Sequence, residues 1–199
     1  IGINADADYL KIPDMINDIY NTHPDLNIEI ISSSTGEIME LIETKKMDCG
    51  FVFGTHKNKD LVFNFLSKVN LEIAIPYKFK NKYEQANLQA VAELPWIVPS
   101  NICPLLGRVQ SFLKTKGIEL SNKVFANDDI TKYAFIEQER AVCVLEKHEA
   151  LNLAARQKVF LWKSPNKLES QLSIVHSKHR SDDLLIHIII SCNQNAWNI

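Results

Sequence analysis

The sequence predicts an α/β fold made of two small domains, on three observations. In the first half of the chain, apolar runs of strand length alternate with segments of helical periodicity, as in βαβ units with a parallel sheet. The same alternation starts again after a polar, lysine-rich segment at residues 77–89. The 199 residues also provide enough chain for two domains of about 100 residues each. We therefore place a domain crossing at residues 77–89.

The first half contains two predicted helices between short strands. Apolar residues at helical spacing run from Ile12 to Tyr20 and stop at His23-Pro24, which predicts an amphipathic helix. Ser34 is followed three residues later by Glu37, the pattern of a capping box that opens a second helix. The predicted strands of this half are residues 1–3, 27–31, 49–53, 61–66 and 71–75.

The second half repeats this organisation. A helix at residues 105–113 is followed by Gly117, a residue that favours the position just past a helix end. A helix through residues 130–135 follows Asn127 and Asp128, and the last helix, from 184 to 192, follows Ser181, which we expect to cap it. The other predicted elements are strands at 96–98, 124–126, 141–145, 159–162 and 172–175 and a helix at 151–155.

Composition and charge exclude several function classes for this segment. The net charge is −2 and the basic residues are spread along the chain, whereas a nucleic-acid-binding domain carries a basic patch. No apolar run approaches the roughly 18 residues of a membrane span, and the start lacks a secretory signal. The chain opens in a strand without an initiator Met, so we expect an upstream segment. The four cysteines form no C-x-x-C pair and are predicted to be free thiols in the cytoplasm.

Enzyme motifs are largely absent from the sequence. It has no phosphate-binding loop, no G-x-S-x-G and no H-E-x-x-H, and only six glycines. His176 and His179 form an H-x-x-H with His187 nearby, but we interpret them as surface histidines and not as metal ligands. Glu137, Glu139 and Glu146 lie beside basic residues and are interpreted as a solvated charge cluster. No enzyme activity, cofactor or metal is predicted.

Polar residues instead follow the predicted strands, where ligands bind in open α/β sheets. Each group also stands near a helix N-terminus, whose free amides favour an anion or a carbonyl. Ser, Asn and Asp at such places are often only caps, and Ser34 is expected to be one. Thr35 comes after this cap, so we expect its hydroxyl and amide to be free to contact a ligand. The groups are residues 4–6, 32–35, 99–101 and 127–128.

Residues 30–51 resemble the strand–Ser/Thr–helix–Asp segment of LysR-type transcriptional regulators. The resemblance continues in order along essentially the whole chain. Residues 71–76 and 172–175 look like the two strands that cross between the domains of that family. Residues 94–99, with Pro95-Trp96-Ile97, look like the opening of its second domain, and residues 180–183 look like the start of its last helix.

The resemblance implies a type II periplasmic-binding-protein-like fold with two α/β subdomains, residues 1–76 plus 168–199 and residues 77–167. A small polar effector would bind in the cleft between them, and the DNA-binding helix-turn-helix domain would precede residue 1. The implied effector-binding residues are Asn4, Asp6, Ser34, Thr35, Ser100, Asn101 and Asn127. Two features depart from the family pattern: residues 137–140 lack the usual glycines, and Asp6 and Asp8 add negative charge that disfavours a di-anionic effector.

By the same resemblance, the chain would form a two-fold homodimer, and the full-length protein a higher oligomer. The helix around residues 12–20 would pair with the helix at 105–116 of the partner, with Ile19 at an outward position. The alternative is that both apolar stripes are used by their own cores.

Two other function classes stay open at this point. One is a solute-binding protein of a transport system with the same fold, and the other is a small enzyme on a related fold. A helix-turn-helix pattern upstream would indicate the regulator, whereas a signal peptide would indicate the transport component.

Overall fold

The computed structural model describes residues 1–98, 104–126 and 129–199. Its strands are β1 (Gly2–Ile3), β2 (Ile31–Ser32), β3 (Cys49–Phe53), β4 (Leu61–Pro76), β5 (Pro95–Val98), β6 (Asn122–Phe125), β7 (Cys143–Glu146), β8 (Val159–Trp162) and β9 (Leu168–Ser177). Its α-helices are α1 (Ile12–Thr22), α2 (Thr35–Glu43), α3 (Lys80–Tyr83), α4 (Leu88–Ala92), α5 (Pro104–Thr115), α6 (Asp129–Glu137), α7 (Lys147–Ala155) and α8 (Leu184–Trp197). Short 3-10 helices cover Tyr77–Phe79 and Lys178–Arg180.

The chain divides into two compact units. Unit 1 consists of Ile1–Lys68 and Gln171–Ile199, and unit 2 consists of Val69–Ser170. The chain passes from one unit to the other within β4 and again within β9. Both units are therefore built partly from the same two long strands.

The sheet of unit 1 has the strand order β2-β1-β3-β9. β1 pairs in parallel with β2 and β3, and β3 pairs antiparallel with β9. Because β1, β2 and β3 are parallel, their carboxyl ends lie at one edge of the sheet. The residues that follow β1 and β2 are thus brought to the same edge, where the candidate site lies.

Two glycines let α2 lie close against this sheet. A Cβ atom on Gly50 of β3 would stand 2.5 Å from Ile38 Cγ2, and one on Gly2 of β1 would stand 2.6 Å from Met47 Sδ. Only glycine leaves room for such an approach. Ile38 and Ile42 of α2 are consequently buried against the strands, which fixes the helix N-terminus beside the carboxyl end of β1.

Helices α1 and α8 pack together within unit 1. The apolar stripe of α1 is turned inward, with Ile12, Met15 and Ile19 buried. The expectation that Ile19 faces outward is wrong, because its side chain is 0% exposed. The Lys11 ammonium donates a 3.0 Å hydrogen bond to the Ala196 carbonyl at the end of α8, where a cation is favourable.

Asn193 on α8 is a fully buried polar residue in the core of unit 1. It is 0% exposed, and neither Oδ1 nor Nδ2 has a hydrogen-bond partner within residues 1–98, 104–126 and 129–199. Since a buried unpaired amide is unfavourable, we expect Asn193→Leu, which is close in volume, to raise the free energy of unfolding by about 1 kcal/mol. Urea denaturation of both proteins checks this, with the exposed Asn166→Leu as the control. A less stable Asn193→Leu protein would show that this amide is paired in solution.

In unit 2, β4 pairs antiparallel with β7 and with β8, and β5 pairs in parallel with β6. The Trp96 side chain is fully buried and its Nε1 donates to the Val91 carbonyl at 3.0 Å. The core that these strands share with α6 and α7 contains Ala74, Ile97, Ile136, Ala141, Cys143, Leu145, Ala150, Leu153 and Val159.

Several predicted elements are corrected by the structure. The two strands predicted at 61–66 and 71–75 form the single strand β4. The polar segment at 77–89 contains α3 and the start of α4. The cap of α8 is Asp183 and not Ser181, because the Asp183 carboxylate accepts the Leu185 amide at 2.9 Å. Gly117 has the positive φ of 67° expected just past a helix end.

The cysteines in the described part of the chain, Cys49, Cys143 and Cys192, are free and buried, as predicted, while Cys103 lies outside the described residues. Burial raises the pKa of the Cys49 and Cys143 thiols to about 12. Because the thiolate is the reactive form, we expect iodoacetamide to leave both unmodified in the native protein at neutral pH and to modify both in urea. Peptide mass spectrometry measures this. Rapid native labelling of either cysteine would contradict their placement in the core.

In the parts that the structure describes, no helix is both long and apolar enough to cross a bilayer.

Candidate functional site

The candidate site lies at the carboxyl edge of the unit 1 sheet and is organised around Thr35. Asn4 follows β1, and its Nδ2 donates to Thr35 Oγ1 at 2.9 Å. The backbone amide of Phe53, at the end of β3, donates to the same oxygen at 3.2 Å. Thr35 thus joins the ends of two strands to the first turn of α2. The sequence singled out Asn4 and Thr35 separately and missed both their contact and the Phe53 amide.

The Thr35 hydroxyl oxygen is not free to accept from a ligand, which corrects that part of the prediction, while its O–H group can still donate. Its side chain is 6% exposed, and its oxygen already accepts two hydrogen bonds. A hydroxyl oxygen has two lone pairs, so both are used. The Thr35 backbone amide lies at the first position of α2, where an amide has no acceptor within its own helix.

Asn4 carries an unused hydrogen-bond acceptor at this site. Its Oδ1 atom is buried and has no partner within the described parts of the chain. Because Nδ2 is held by Thr35, the carbonyl end of the amide is the part directed elsewhere. A buried, unpaired acceptor therefore lies beside Thr35.

Ser34 is the N-cap of α2, as predicted, and its hydroxyl accepts the Glu37 amide at 3.3 Å. The Glu37 carboxylate does not complete the predicted box at Ser34, since it accepts the hydroxyl of Ser33 instead. The negative charge of Glu37 is thereby held at the positive end of the α2 dipole.

Asp6 has a local role in the loop after β1. One of its carboxylate oxygens accepts the backbone amides of Asp8 at 2.9 Å and Tyr9 at 3.2 Å, which is the turn-forming use of this side chain. Both Asp6 and Asp8 are exposed. The loop thus adds two carboxylates close to Asn4 in sequence.

The other three predicted binding residues, Ser100, Asn101 and Asn127, lie outside the described residues.

A cavity of about 230 Å³ lies at the other edge of the unit 1 sheet. It is bordered by residues at the amino ends of the strands, including Ile1, Ile31 and Asp48, and by Leu185 and Ile189 of α8. Its lining combines apolar side chains with the charged residues Glu29, Lys46 and Asp48.

Two glutamates of the predicted charge cluster, Glu137 and Glu146, have defined partners in the structure. Glu137 accepts from Lys158 and from Arg156, and these contacts lower the pKa of its carboxyl. Glu146 caps α7 by accepting the His148 amide at 2.8 Å. Glu137 thus forms ion pairs and Glu146 forms a helix cap.

The two histidines of the H-x-x-H pattern lie in different environments, one buried and one exposed. His176 is buried, not at the surface as expected, and its Nδ1 lies 3.0 Å from the Ser177 carbonyl oxygen, whereas His179 is exposed near Asp60. Residues 1–98, 104–126 and 129–199 contain no group of three potential metal ligands.

A family model described as the LysR substrate binding domain matches residues 1–194. None of the curated proteins compared with the chain matches it.

Solved structures of similar fold include the effector binding domain of QuiR in complex with shikimate, at 15% identity and a TM-score of 0.81, covering 99% of this chain and 95% of that one. The BenM effector binding domain with its effector benzoate is 14% identical, with a TM-score of 0.68 and coverage of 99% and 90%. Full-length CbnR complexed with its target DNA is 11% identical, with a TM-score of 0.71, and the match covers 100% of this chain and 70% of CbnR.

Proposed function

Since this chain belongs to the LysR substrate-binding domain family, the effector-binding domains of LysR-type transcriptional regulators, we propose that its effector is a small polar molecule bound beside Asn4 and Thr35. The observation that carries this proposal is the meeting of three elements at Thr35: the end of β1, the end of β3 and the first turn of α2. Polar groups from separate elements that converge at the carboxyl edge of an α/β sheet are typical of a ligand site.

Asn4, Ser34 and Thr35 have different roles in this proposal. Asn4 and the α2 amides contact the effector. Thr35 holds Asn4 in place, and Ser34 keeps the helix end ordered as its cap. Asp6 shapes the loop through its turn. Ser100, Asn101 and Asn127 remain proposed contacts from the second subdomain.

We also propose two effector-binding subdomains, residues 1–76 with 168–199 and residues 77–167. The compact units Ile1–Lys68 with Gln171–Ile199, and Val69–Ser170, support this division. The regulator would act in the cytoplasm and contact DNA only through a separate N-terminal domain, and this chain would have no enzyme activity. The net charge of −2 supports the absence of DNA contact by this segment.

A screen for ligand-induced stabilisation tests the proposed function. The purified chain is melted in the presence of a panel of small sugars, hydroxy acids, amides and aromatic acids. A ligand at 100 times its dissociation constant is expected to add about 2.7 kcal/mol to the free energy of unfolding. A saturable rise in melting temperature with a restricted chemical class supports the proposal. No stabilising compound in the panel would contradict it.

The chain is further proposed to form a two-fold homodimer in which α1 faces α5 of the partner, burying over about 1,000 Å². Among the exposed side chains of α1, Tyr20 is the large apolar one, and it is 44% exposed. We expect Tyr20→Lys to convert the dimer to a monomer, because a charge would be buried in an apolar contact. Sedimentation equilibrium measures this, with Asn166→Lys at an exposed loop position as the control. A monomeric parent, or a Tyr20→Lys dimer as tight as the control, would contradict this pairing.

A further inference from the structure

We propose that opposite charges hold a second copy of this chain in the antiparallel arrangement, with the acidic face of α1 in one copy against the basic end of α5 in the other. The acidic face consists of Asp14 and Asp18, and the basic end consists of Lys114 and Lys116. This inference rests on the homodimer proposed above, because it concerns what orients the two copies.

The two units of the chain carry opposite net charges. Unit 1 contains 13 acidic and 8 basic residues, a net charge of −5, and unit 2 contains 11 acidic and 14 basic residues, a net charge of +3. Contact between the unit 1 surfaces of two copies would bring like charges together, whereas contact between unit 1 and the partner's unit 2 brings opposite charges together. Because such complementarity orients proteins as they associate, it favours an antiparallel pair over a parallel one.

The same division of charge is sharper around the two helices. Residues 12–44, which begin with α1, contain seven acidic residues and no lysine or arginine. Residues 104–118, which include α5, contain three basic residues and no aspartate or glutamate. The helix α1 is thus surrounded in sequence by negative charge only, and α5 by positive charge only.

The charged side chains of the two helices are accessible. Asp14 is exposed and Asp18 is half-buried, and their spacing of four residues places them on one face of α1. Lys114 is exposed near the end of α5, and Lys116, also exposed, directly follows this helix. A partner can therefore approach both pairs of charges from solvent.

These four charges are not neutralised within their own chain. No salt bridge joins any of them to another described residue. Two like charges four residues apart on a helix also repel each other, so a cation supplied by a partner would relieve the repulsion between Asp14 and Asp18. In a two-fold dimer each contact is formed twice. Every favourable or unfavourable pairing of α1 with α5 is therefore counted twice in the stability of the dimer.

A charge exchange between the two helices tests the inference directly. One variant carries Asp14→Lys and Asp18→Lys, and the other carries Lys114→Glu and Lys116→Glu. Either variant alone places like charges together in both contacts of its homodimer. We expect each homodimer to be at least about 100-fold weaker than the parent at low salt, because like charges across an interface are costly. Sedimentation equilibrium measures these affinities.

An equimolar mixture of the two variants should restore association. In their heterodimer, the lysines introduced on α1 of one variant face the glutamates introduced on α5 of the other, and the native aspartates face the native lysines. Both contacts then join opposite charges. We expect a heterodimer within about ten-fold of the parent affinity, identified by native mass spectrometry from the masses of the two chains.

The control carries Glu93→Lys and Asp182→Lys, at exposed positions outside both helices. It has the same net charge as the α1 variant and should dimerise as the parent does. At about 1 M salt, where charges are screened beyond about 3 Å, the difference between the parent and the two charge-reversed variants should shrink. Circular dichroism and melting curves establish that all the variants are folded, as expected for substitutions at accessible positions.

A homodimer of either charge-reversed variant as tight as the parent would overturn the inference, and so would a mixture of the two variants that stays monomeric. A control as weak as the α1 variant would also overturn it, because net charge alone would then explain the effect. Each of these results leaves the proposed effector site in place, which fails by the absence of any stabilising compound in the panel. A monomeric parent would overturn the proposed homodimer together with this inference.

Discussion

Replacing Gly50 by alanine is expected to lower the free energy of unfolding by about 1–3 kcal/mol, the usual cost of overpacking. The added Cβ would stand 2.5 Å from Ile38 Cγ2, which is a steric clash. It would also stand 3.1 Å from the Gly2 carbonyl oxygen, which is a tight contact with the backbone. β3 cannot shift at this position without disturbing its pairing with β1, where Gly50 lies opposite Gly2. Urea denaturation of the two proteins measures the loss.

Ile38→Ala supplies the matched control for this prediction. That substitution removes the Cγ2 atom which the new Cβ would meet, although it costs stability itself by leaving a cavity. The effect of Gly50→Ala should therefore be clearly smaller in the Ile38→Ala background than in the parent, so that the two changes are not additive. Strict additivity, or a neutral Gly50→Ala, would show that α2 does not lie this close to the sheet.

Thr35→Val is expected to remove the stabilisation that a bound effector gives, about 2.7 kcal/mol at 100 times the dissociation constant. Valine keeps the shape of the side chain but lacks the oxygen that accepts from Asn4 and from the buried Phe53 amide. The free protein should also lose about 1–3 kcal/mol, the cost of leaving buried donors unpaired. Asn4 is then no longer oriented towards the ligand.

Thr35→Ser is the control, because serine keeps the hydroxyl and removes only a methyl group. Melting temperatures of the parent and both variants are compared with and without a stabilising compound from the panel. We expect the serine variant to retain most of the ligand-induced shift once its lower starting stability is taken into account, and the valine variant to lose it. An undiminished shift in Thr35→Val would exclude Thr35 as an organiser of the site.

The fold class was predictable because it depends on local periodicity, and the predicted fold class is confirmed. Apolar stripes at 12–20 and 38–42 correspond to α1 and α2. The long strand β4 was divided in the prediction because its middle, near Ser67 and Lys68, is polar and partly exposed. A strand that continues through such a segment is held by its neighbours, which the local pattern does not reveal.

The missed elements have equally physical explanations. Helices α3 and α4 have only four and five residues, too few to show an apolar stripe. At the start of α8, Ser181 and Asp183 are both good caps. Asp183 takes this role while its carboxylate also pairs with Arg180, which lowers the pKa of the Asp183 carboxyl. Arg180 in turn reaches Asp48, far away in sequence.

The candidate site shows the same division between local and long-range information. The Ser34 cap follows from a four-residue pattern, and the structure has it. The bond between Asn4 and Thr35 joins residues 31 positions apart and depends on the parallel pairing of β1 with β2. The sequence therefore indicated both residues as candidates for a ligand contact, but it could not reveal that one of them holds the other.

A crystal structure of the chain with a stabilising compound bound tests the central proposal most directly. We expect the compound at the carboxyl edge of the unit 1 sheet, within hydrogen-bonding distance of Asn4 Oδ1 and of an amide in the first turn of α2. A compound bound instead in the cavity beside Ile31, Asp48 and Ile189, with Asn4 Oδ1 still unpaired, would contradict it.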